Sequence, residues 1–213
     1  MNSNFMTNWV RDNLTKQSII VEAGMYDGID TCIFADIATE GKVYGFEPVP
    51  ECFALCKQLI GDRSNVEITE AALADKTGTS NIHISDRFGK HWASASLLAP
   101  KKHLDAYTDI TFKTQIEIPT INLDEWYNEK QIGIIDLLWL DTQGFEYYIL
   151  KNAPRALSNT RYLYTEVAYV ETYADCKLYN EYREFLEKSG FVVINEEKEM
   201  YEGNMLLKNI NLN

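Results

Sequence analysis

Three acids stand at the ends of apolar runs: Glu22 in "SIIVEA", Glu47 after "KVYGF" and Asp141 after "IDLLWL". Carboxylates beside a dry core are costly unless something binds them. A ligand rich in hydroxyl and ammonium donors would do so. The first acid is followed by "GMYDG", in which Gly24 and Gly28 let the chain bend close to a ligand and let the next helix pack down. A dinucleotide loop carries three glycines and seats a pyrophosphate on a helix N-terminus. Here Met25, Tyr26 and the negative Asp27 fill the interval, and Asp27 opposes a pyrophosphate. Glu47 falls 23 residues after Gly24, about the interval at which a carboxylate accepts the hydroxyls of an adenosine ribose. Together these residues describe a cationic adenosine compound without phosphate, and S-adenosylmethionine fits that description.

The three acids can act together only if the fold gathers the strand ends on one rim. Residues 4–16 read as an amphipathic helix with Phe5, Trp9, Val10 and Leu14 on one side. "SIIVEA", "KVYGFE" and "NVEITEAAL" read as strands. "GIDTCIFADIAT" and "VPECFALCKQLIG" read as the helices between them, the second with Pro50 in its first turn and Gly61 past its end. Strand, helix, strand with short joins implies right-handed crossovers and a parallel sheet. "GTSNIHIS" and "DITFKTQIEIPT" alternate like half-buried strands, a β-hairpin insertion over about residues 79–119. The long irregular stretch between them has the character of a functional loop. "INLDEWYNE" reads as a short helix with Asn122 near its start, "GIIDLLWLD" as the central strand and "GFEYYILKNA" as the helix after it. "TRYLYTEVAYV" reads as a strand and "KLYNEYREFLEKSG" as a helix closed by Gly190. "FVVINEEKEMYEGNMLLKN" reads as two strands turning at Glu202-Gly203-Asn204. The expectation is an α/β, Rossmann-like single domain over 1–213, with a mostly parallel seven-stranded sheet and helices on both faces.

The 213 residues carry a formal net charge of −12, which repels phosphate backbones and makes nucleic acid an improbable main partner. No window of eighteen apolar residues suggests a membrane span. The polar N-terminus lacks a signal-peptide pattern, so a cytoplasmic location is the default expectation. Cys32, Cys52, Cys56 and Cys176 have no zinc-type partners nearby in sequence and read as small buried side chains. No metal site is expected.

The chain resembles the FkbM family of S-adenosylmethionine-dependent methyltransferases over roughly residues 18–207. "VEAGMYDGIDT" is similar to that family's cofactor loop, where Asp usually replaces Glu22 and Ala-Asn replaces Met25-Tyr26. "GFEPVP" resembles its second-strand motif. "IDLLWLDTQGFEYYILKNA" resembles its strongest signature, with Asp141, Gln143, Gly144 and Glu146 at matching places. "LYTEV" resembles the next-strand motif and places Glu166, and "ASASLL" resembles a serine cluster between the halves of the domain. The resemblance implies a class I methyltransferase fold and methyl transfer to an oxygen, often a hydroxyl of a sugar, glycan or natural product. Small-molecule or glycan acceptors are the partners it implies.

Motifs and resemblance together give a candidate site. Glu22, Gly24, Met25, Tyr26, Gly28 and Thr31 form the first cofactor segment, and Glu47 and Pro48 the second. Glu47 also reads as an acid complementing the dipole of the helix that follows. Ala71 and Ala72 leave room for an adenine ring or simply pack in the core. Ser96 could hydrogen-bond the cofactor or the acceptor, as could Ser94. Asp141 could meet the cofactor ammonium, orient the acceptor or take its proton as general base, or else cap the next helix. Glu166 could face the acceptor. His91 is a second candidate base because imidazole titrates near neutrality. Glu146 reads as closing its turn. Trp92, Tyr107, Tyr169 and Tyr173 lie in or near loops on the ligand side, where aromatic faces suit sugar rings. Two other readings remain: an NAD-dependent oxidoreductase, disfavoured by the missing third glycine and Asp27, and a nucleoside-binding module without catalysis.

Overall fold

The computed structural model describes residues 4–212. Helix α1 spans Asn4–Asn13, followed by β1 (Ile19–Ala23), α2 (Ile29–Ile37), β2 (Lys42–Phe46), α3 (Pro50–Ile60) and β3 (Val66–Thr69). Next come β4 (Ala72–Ala74), β5 (Gly78–Arg87), β6 (Lys90–His91), α4 (His103–Ala106) and β7 (Ile110–Asn122). The second half runs α5 (Leu123–Glu129), β8 (Ile135–Leu140), α6 (Glu146–Lys151), α7 (Pro154–Ser158), β9 (Thr160–Ala168), α8 (Tyr179–Lys188), β10 (Phe191–Lys198) and β11 (Glu202–Asn209).

Seven strands form one sheet in the order β10-β11-β9-β8-β1-β2-β3. All run parallel except β11, which is antiparallel to both β9 and β10. Alternate residues of β1 and β8 enter opposite cores, as a sheet covered on both faces requires. Ile20, Leu137 and Trp139 pack with Met6, Val10 and Phe34 of α1 and α2. Val21, Leu138 and Leu140 pack with Trp126, Ile149, Leu157 and Leu186 of α5 to α8. The order reverses between β8 and β1, so the crevice outside their carboxyl ends is the expected ligand position. Among the described residues no helix is long and apolar enough to cross a membrane.

Four other strands form a second sheet in the order β4-β7-β5-β6. The hairpin expected over 79–119 is thus longer, and it recruits a strand that the sequence pattern joins to β3. The chain breaks there because the Ala71 N–H donates to the Thr69 carbonyl at 3.0 Å, a tight turn that carries β4 out of the main sheet. Asn122 links the two layers: its Oδ1 accepts the N–H groups of Asp124 and Glu125, capping α5, and its Nδ2 donates to the carbonyls of Asp75 and Asn152.

Three element limits differ from the pattern. Helix α1 ends at Asn13, whose side chain donates to the Trp9 carbonyl at 2.9 Å and so competes with continued helix. The last hairpin turns before Glu202, because Gly203 pairs inside β11. A Cβ on Gly203 would stand 2.4 Å from the Glu197 carbonyl, so this glycine serves strand approach rather than the turn. The apolar run after β8 forms two short helices, α6 and α7, split where Pro154 begins the second.

Candidate active site

The ends of β1, β2 and β8 are laced together at backbone level. The Gly24 N–H donates to the Phe46 carbonyl and the Asp141 N–H to the Ala23 carbonyl, each at 3.0 Å. Gly24 has φ +87°, and a Cβ there would lie 1.8 Å from the Asp141 backbone oxygen. No larger residue fits between the strands at that point, which is why the acid-ended strand must be followed by a bare residue.

Beside this junction lies a cavity with about 650 Å³ of empty space, part of it open to solvent. Gly24, Tyr26, Glu47, Pro48, Asp141 and Gln143 line it from the strand ends of the main sheet. Ala72, Leu73, Ile82, Trp92, Ser96 and Leu97 line it from the second sheet and its loop. Glu47 is buried at the end of β2. Its Oε2 accepts the Tyr26 N–H at 2.8 Å and its Oε1 accepts the Val49 N–H at 2.9 Å. Burial, only partly offset by those two bonds, lifts its carboxyl to about 7. Tyr26 holds φ +53°, an uncommon conformation for a residue with a side chain. Its ring meets Trp92 edge-on, with centroids 6.2 Å apart.

A second, larger cleft of about 1200 Å³ opens next to the first, and Trp92, Ala93, Asp141 and Gln143 line both. Gln143 has φ +56° and is followed by Gly144 at +92°. That strained turn points its amide inward. The Gln143 Nε2 donates to Asp141 Oδ1 at 2.8 Å and to Glu166 Oε2 at 3.1 Å, while Oε1 accepts the Tyr173 hydroxyl at 2.9 Å. The Ser96 hydroxyl donates to the Gln143 carbonyl at 2.7 Å, tying the second sheet's loop to the same turn. Asp141 is exposed to the open space where the two cavities meet, and the protein walls around it raise its carboxyl by desolvation despite the Gln143 bond. Glu166 is raised well above the ordinary carboxylate range, by burial first and then by Glu202 and Asp141.

The structure brings Gly24, Tyr26, Glu47, Pro48, Ala72, Ser96 and Asp141 to the first cavity, and Asp141 and Glu166 to the second. Trp92 lines both and Ser94 and Tyr107 line the second, while Glu22, Met25, Gly28, Thr31, Ala71, His91 and Glu146 line neither. Glu22 is buried on the α2 side of β1 and accepts the Thr31 hydroxyl at 2.6 Å. Burial lifts its carboxyl to about 8. Met25 packs with Cys56 and Ile60. Gly28 lies against Cys56, where a Cβ would come within 3.2 Å of the helix α3 backbone. Ala71 is core. His91 lines a separate surface hollow with Pro50 and Asp86, and its Nε2 lies 3.4 Å from a Glu51 oxygen. Glu146 accepts the Thr142 and Gly144 N–H groups and closes the turn. Sequence reasoning did not give Gln143 a role. The signal available was its place between Asp141 and Gly144, where a non-glycine residue at positive φ aims a side chain across the rim. His103 also went unassigned; the structure buries it in the second cleft.

The residues of the first cavity fit an adenosine sulfonium compound. Ala72, Leu73 and Ile82 offer apolar walls for a flat ring, Glu47 offers lone pairs to ribose hydroxyls, and Asp141 offers a carboxyl group on the same wall as Gly24. Topology and site together define a class I, Rossmann-like methyltransferase that uses S-adenosylmethionine. The model of the Methyltransferase FkbM domain matches residues 22–193, and the chain belongs to that family. It is 31% identical over 201 residues to the 2-O-methyltransferase NoeI of Sinorhizobium fredii, covering 91% of this chain and 80% of that protein. The crystal structure of Methyltransferase FkbM from Methylobacillus flagellatus superposes with a TM-score of 0.58 at 12% identity; the match covers 91% of this chain but 44% of that one. Aeropyrum pernix fibrillarin, solved with natively bound S-adenosyl-L-methionine, gives a TM-score of 0.56 at 12% identity over 97% of this chain and 74% of that one.

Proposed function

We propose that the chain transfers the methyl group of S-adenosylmethionine to a hydroxyl oxygen of a sugar, glycan or natural product. The observation that carries this is the position of Asp141 on the wall between the cofactor cavity and the second cleft, with Oδ1 held by Gln143. The similarity to a 2-O-methyltransferase supports an oxygen acceptor. When bound, S-adenosylmethionine supplies an electrophilic methyl group on a sulfonium. The protein's part is to place a hydroxyl against that methyl and to remove its proton. Holding the two reactants in adjoining cavities supplies much of the rate. Asp141 is the base: its raised affinity for protons makes it a stronger acceptor than an exposed aspartate. Gln143 fixes the Asp141 carboxylate and ties it to Glu166. Glu166, whose carboxyl is raised by burial and by the neighbouring Glu202 and Asp141, lines the second cleft where the acceptor would lie. Glu47 takes the ribose and Gly24 lets the cofactor lie against the strand ends.

The test is methyl transfer from S-adenosylmethionine to a panel of hydroxyl compounds, followed by mass spectrometry, alongside calorimetric titration with S-adenosylmethionine and NAD. Transfer to a hydroxyl that falls about 10²–10⁴-fold in Asp141→Asn supports the reading. Cofactor binding without transfer to any hydroxyl would favour the non-catalytic module. Tight binding of NAD alone would favour the oxidoreductase.

A further inference from the structure

The second cleft is short of positive charge. Asp30, Asp141, Glu166, Glu199 and Glu202 line it. The one guanidinium among its described lining residues, Arg87, is held by Asp109 with Nε 2.7 Å from Oδ2, and lies over the Trp92 ring at 4.6 Å. The cofactor's own charge does not account for these acids, because Glu166, Glu199 and Glu202 line the second cleft and not the cofactor cavity. They stand on β9, at the β10–β11 turn and at the start of β11.

A separate observation points to a ligand at the same place. His103 lines the cleft, is 1% exposed, and leaves Nδ1 without a hydrogen-bond partner. Burial drives its imidazole down to about 4, so the ring is neutral and does not answer the nearby acids. A buried polar nitrogen left unpaired is destabilising unless a ligand satisfies it. Aromatic side chains line the same space: His103 packs on Tyr107, and Trp139 and Tyr164 stack with centroids 3.8 Å apart. Carboxylates, a neutral imidazole and aromatic rings form the environment that binds an ammonium group.

We propose that the second cleft selects a hydroxyl compound that also carries a positive charge, an amino sugar or a related amino alcohol, over its neutral or acidic counterparts. The inference rests on reading that cleft as the methyl-acceptor site. Ammonium N–H groups would meet Glu166, Glu199 and Glu202, and the compound's hydroxyl would meet Asp141. A carboxylated acceptor would face those acids with like charge, which gives exclusion as well as selection.

The experiment uses the whole chain with S-adenosylhomocysteine bound, and measures calorimetric binding of glucosamine, glucose, N-acetylglucosamine and glucuronic acid at neutral pH. Transfer from S-adenosylmethionine to the same four compounds is measured in parallel. Glucosamine is expected to bind at least tenfold tighter than glucose or N-acetylglucosamine, with glucuronic acid weakest. Glu202→Gln is expected to cut that preference at least threefold. Glu199→Gln, at an exposed turn where folding is not at issue, should cut it in the same direction. Equal binding of the four compounds, binding of none at millimolar concentration, or a preference unchanged in both variants overturns the proposal. Failure of S-adenosylmethionine to bind overturns the methyl-transfer reading instead, and the charge ranking is then read from binding of the four compounds to the chain without S-adenosylhomocysteine.

Discussion

Glu22→Gln exchanges a buried acid for a neutral side chain of nearly the same shape. Gln can still accept the Thr31 hydroxyl that now lies 2.6 Å from Glu22 Oε2. Burial, with a smaller push from Asp30 and Asp141, raises the Glu22 carboxyl from 4.5 to about 8. Below pH 4.5 the acid is protonated in both the folded and unfolded chain, and it adds no pH dependence. Between pH 4.5 and 8 the unfolded chain releases the proton while the folded chain keeps it, so stability falls as pH rises. A rise of three to four pH units, at about 1.4 kcal/mol per unit, sets a ceiling of about 5 kcal/mol above pH 8. Water reaching the ionised group would bring this to roughly 2–3 kcal/mol. The variant lacks the loss. Its Tm advantage should therefore grow by about 5–10 °C between pH 5 and pH 8.5, at about 2–4 °C per kcal/mol for a chain of this length. Differential scanning calorimetry of both proteins without ligand, at pH 5, 7 and 8.5, reads this directly. A Tm difference that stays constant with pH, or one that turns against Gln as pH rises, would refute the account of a neutral buried acid.

Two further substitutions probe the rim. Gly24→Ala places a methyl group against the Asp141 carbonyl at a positive φ; calorimetry should show S-adenosylmethionine affinity lost by at least tenfold, with a lower Tm, and retained affinity would remove the argument for close strand approach. Gln143→Ala frees Asp141 and Glu166 from their shared donor; kcat is expected to fall about tenfold to a hundredfold, with the pH profile of kcat displaced upward because the Asp141 carboxylate loses the bond that favours its charged form. An unmoved pH profile would count against the positioning role.

The main sheet was legible because its signals are local. The buried runs of β1 and β8, the Pro50 start and Gly61 end of α3, and the glycine bend all lie within a dozen residues. The strand-end positions of Glu47 and Asp141 followed from the same pattern. What sequence did not reveal depends on direction or on distant pairing. Glu22 lies inside β1 and is held to that strand's α2 face, where it meets Thr31, while Asp141 stands one residue past the end of β8, outside the pleat, and faces the cavities. Met25 sits in the loop but fills the space left by Gly45, where a Cβ would lie 2.4 Å from its sulfur. His91 and Ser96 are five residues apart and equally plausible by type. The bridge between His83 and Ser96 carries Ser96 to the cavity, while β6 leaves His91 in a separate surface hollow. The role of Gln143 depended on a left-handed backbone that no pattern of side chains announces.

The division of the cofactor cavity between two sheets has a consequence for how such proteins diverge. Its floor belongs to the parallel sheet, and its roof, from Trp92 to Leu97, hangs from β5 and β6. On the proposed reading, changes in the hairpin that carries the roof would reshape the entrance and the neighbouring cleft while the strand ends that bear Gly24, Glu47 and Asp141 stay in place, so a changing recipient need not disturb that part of the pocket.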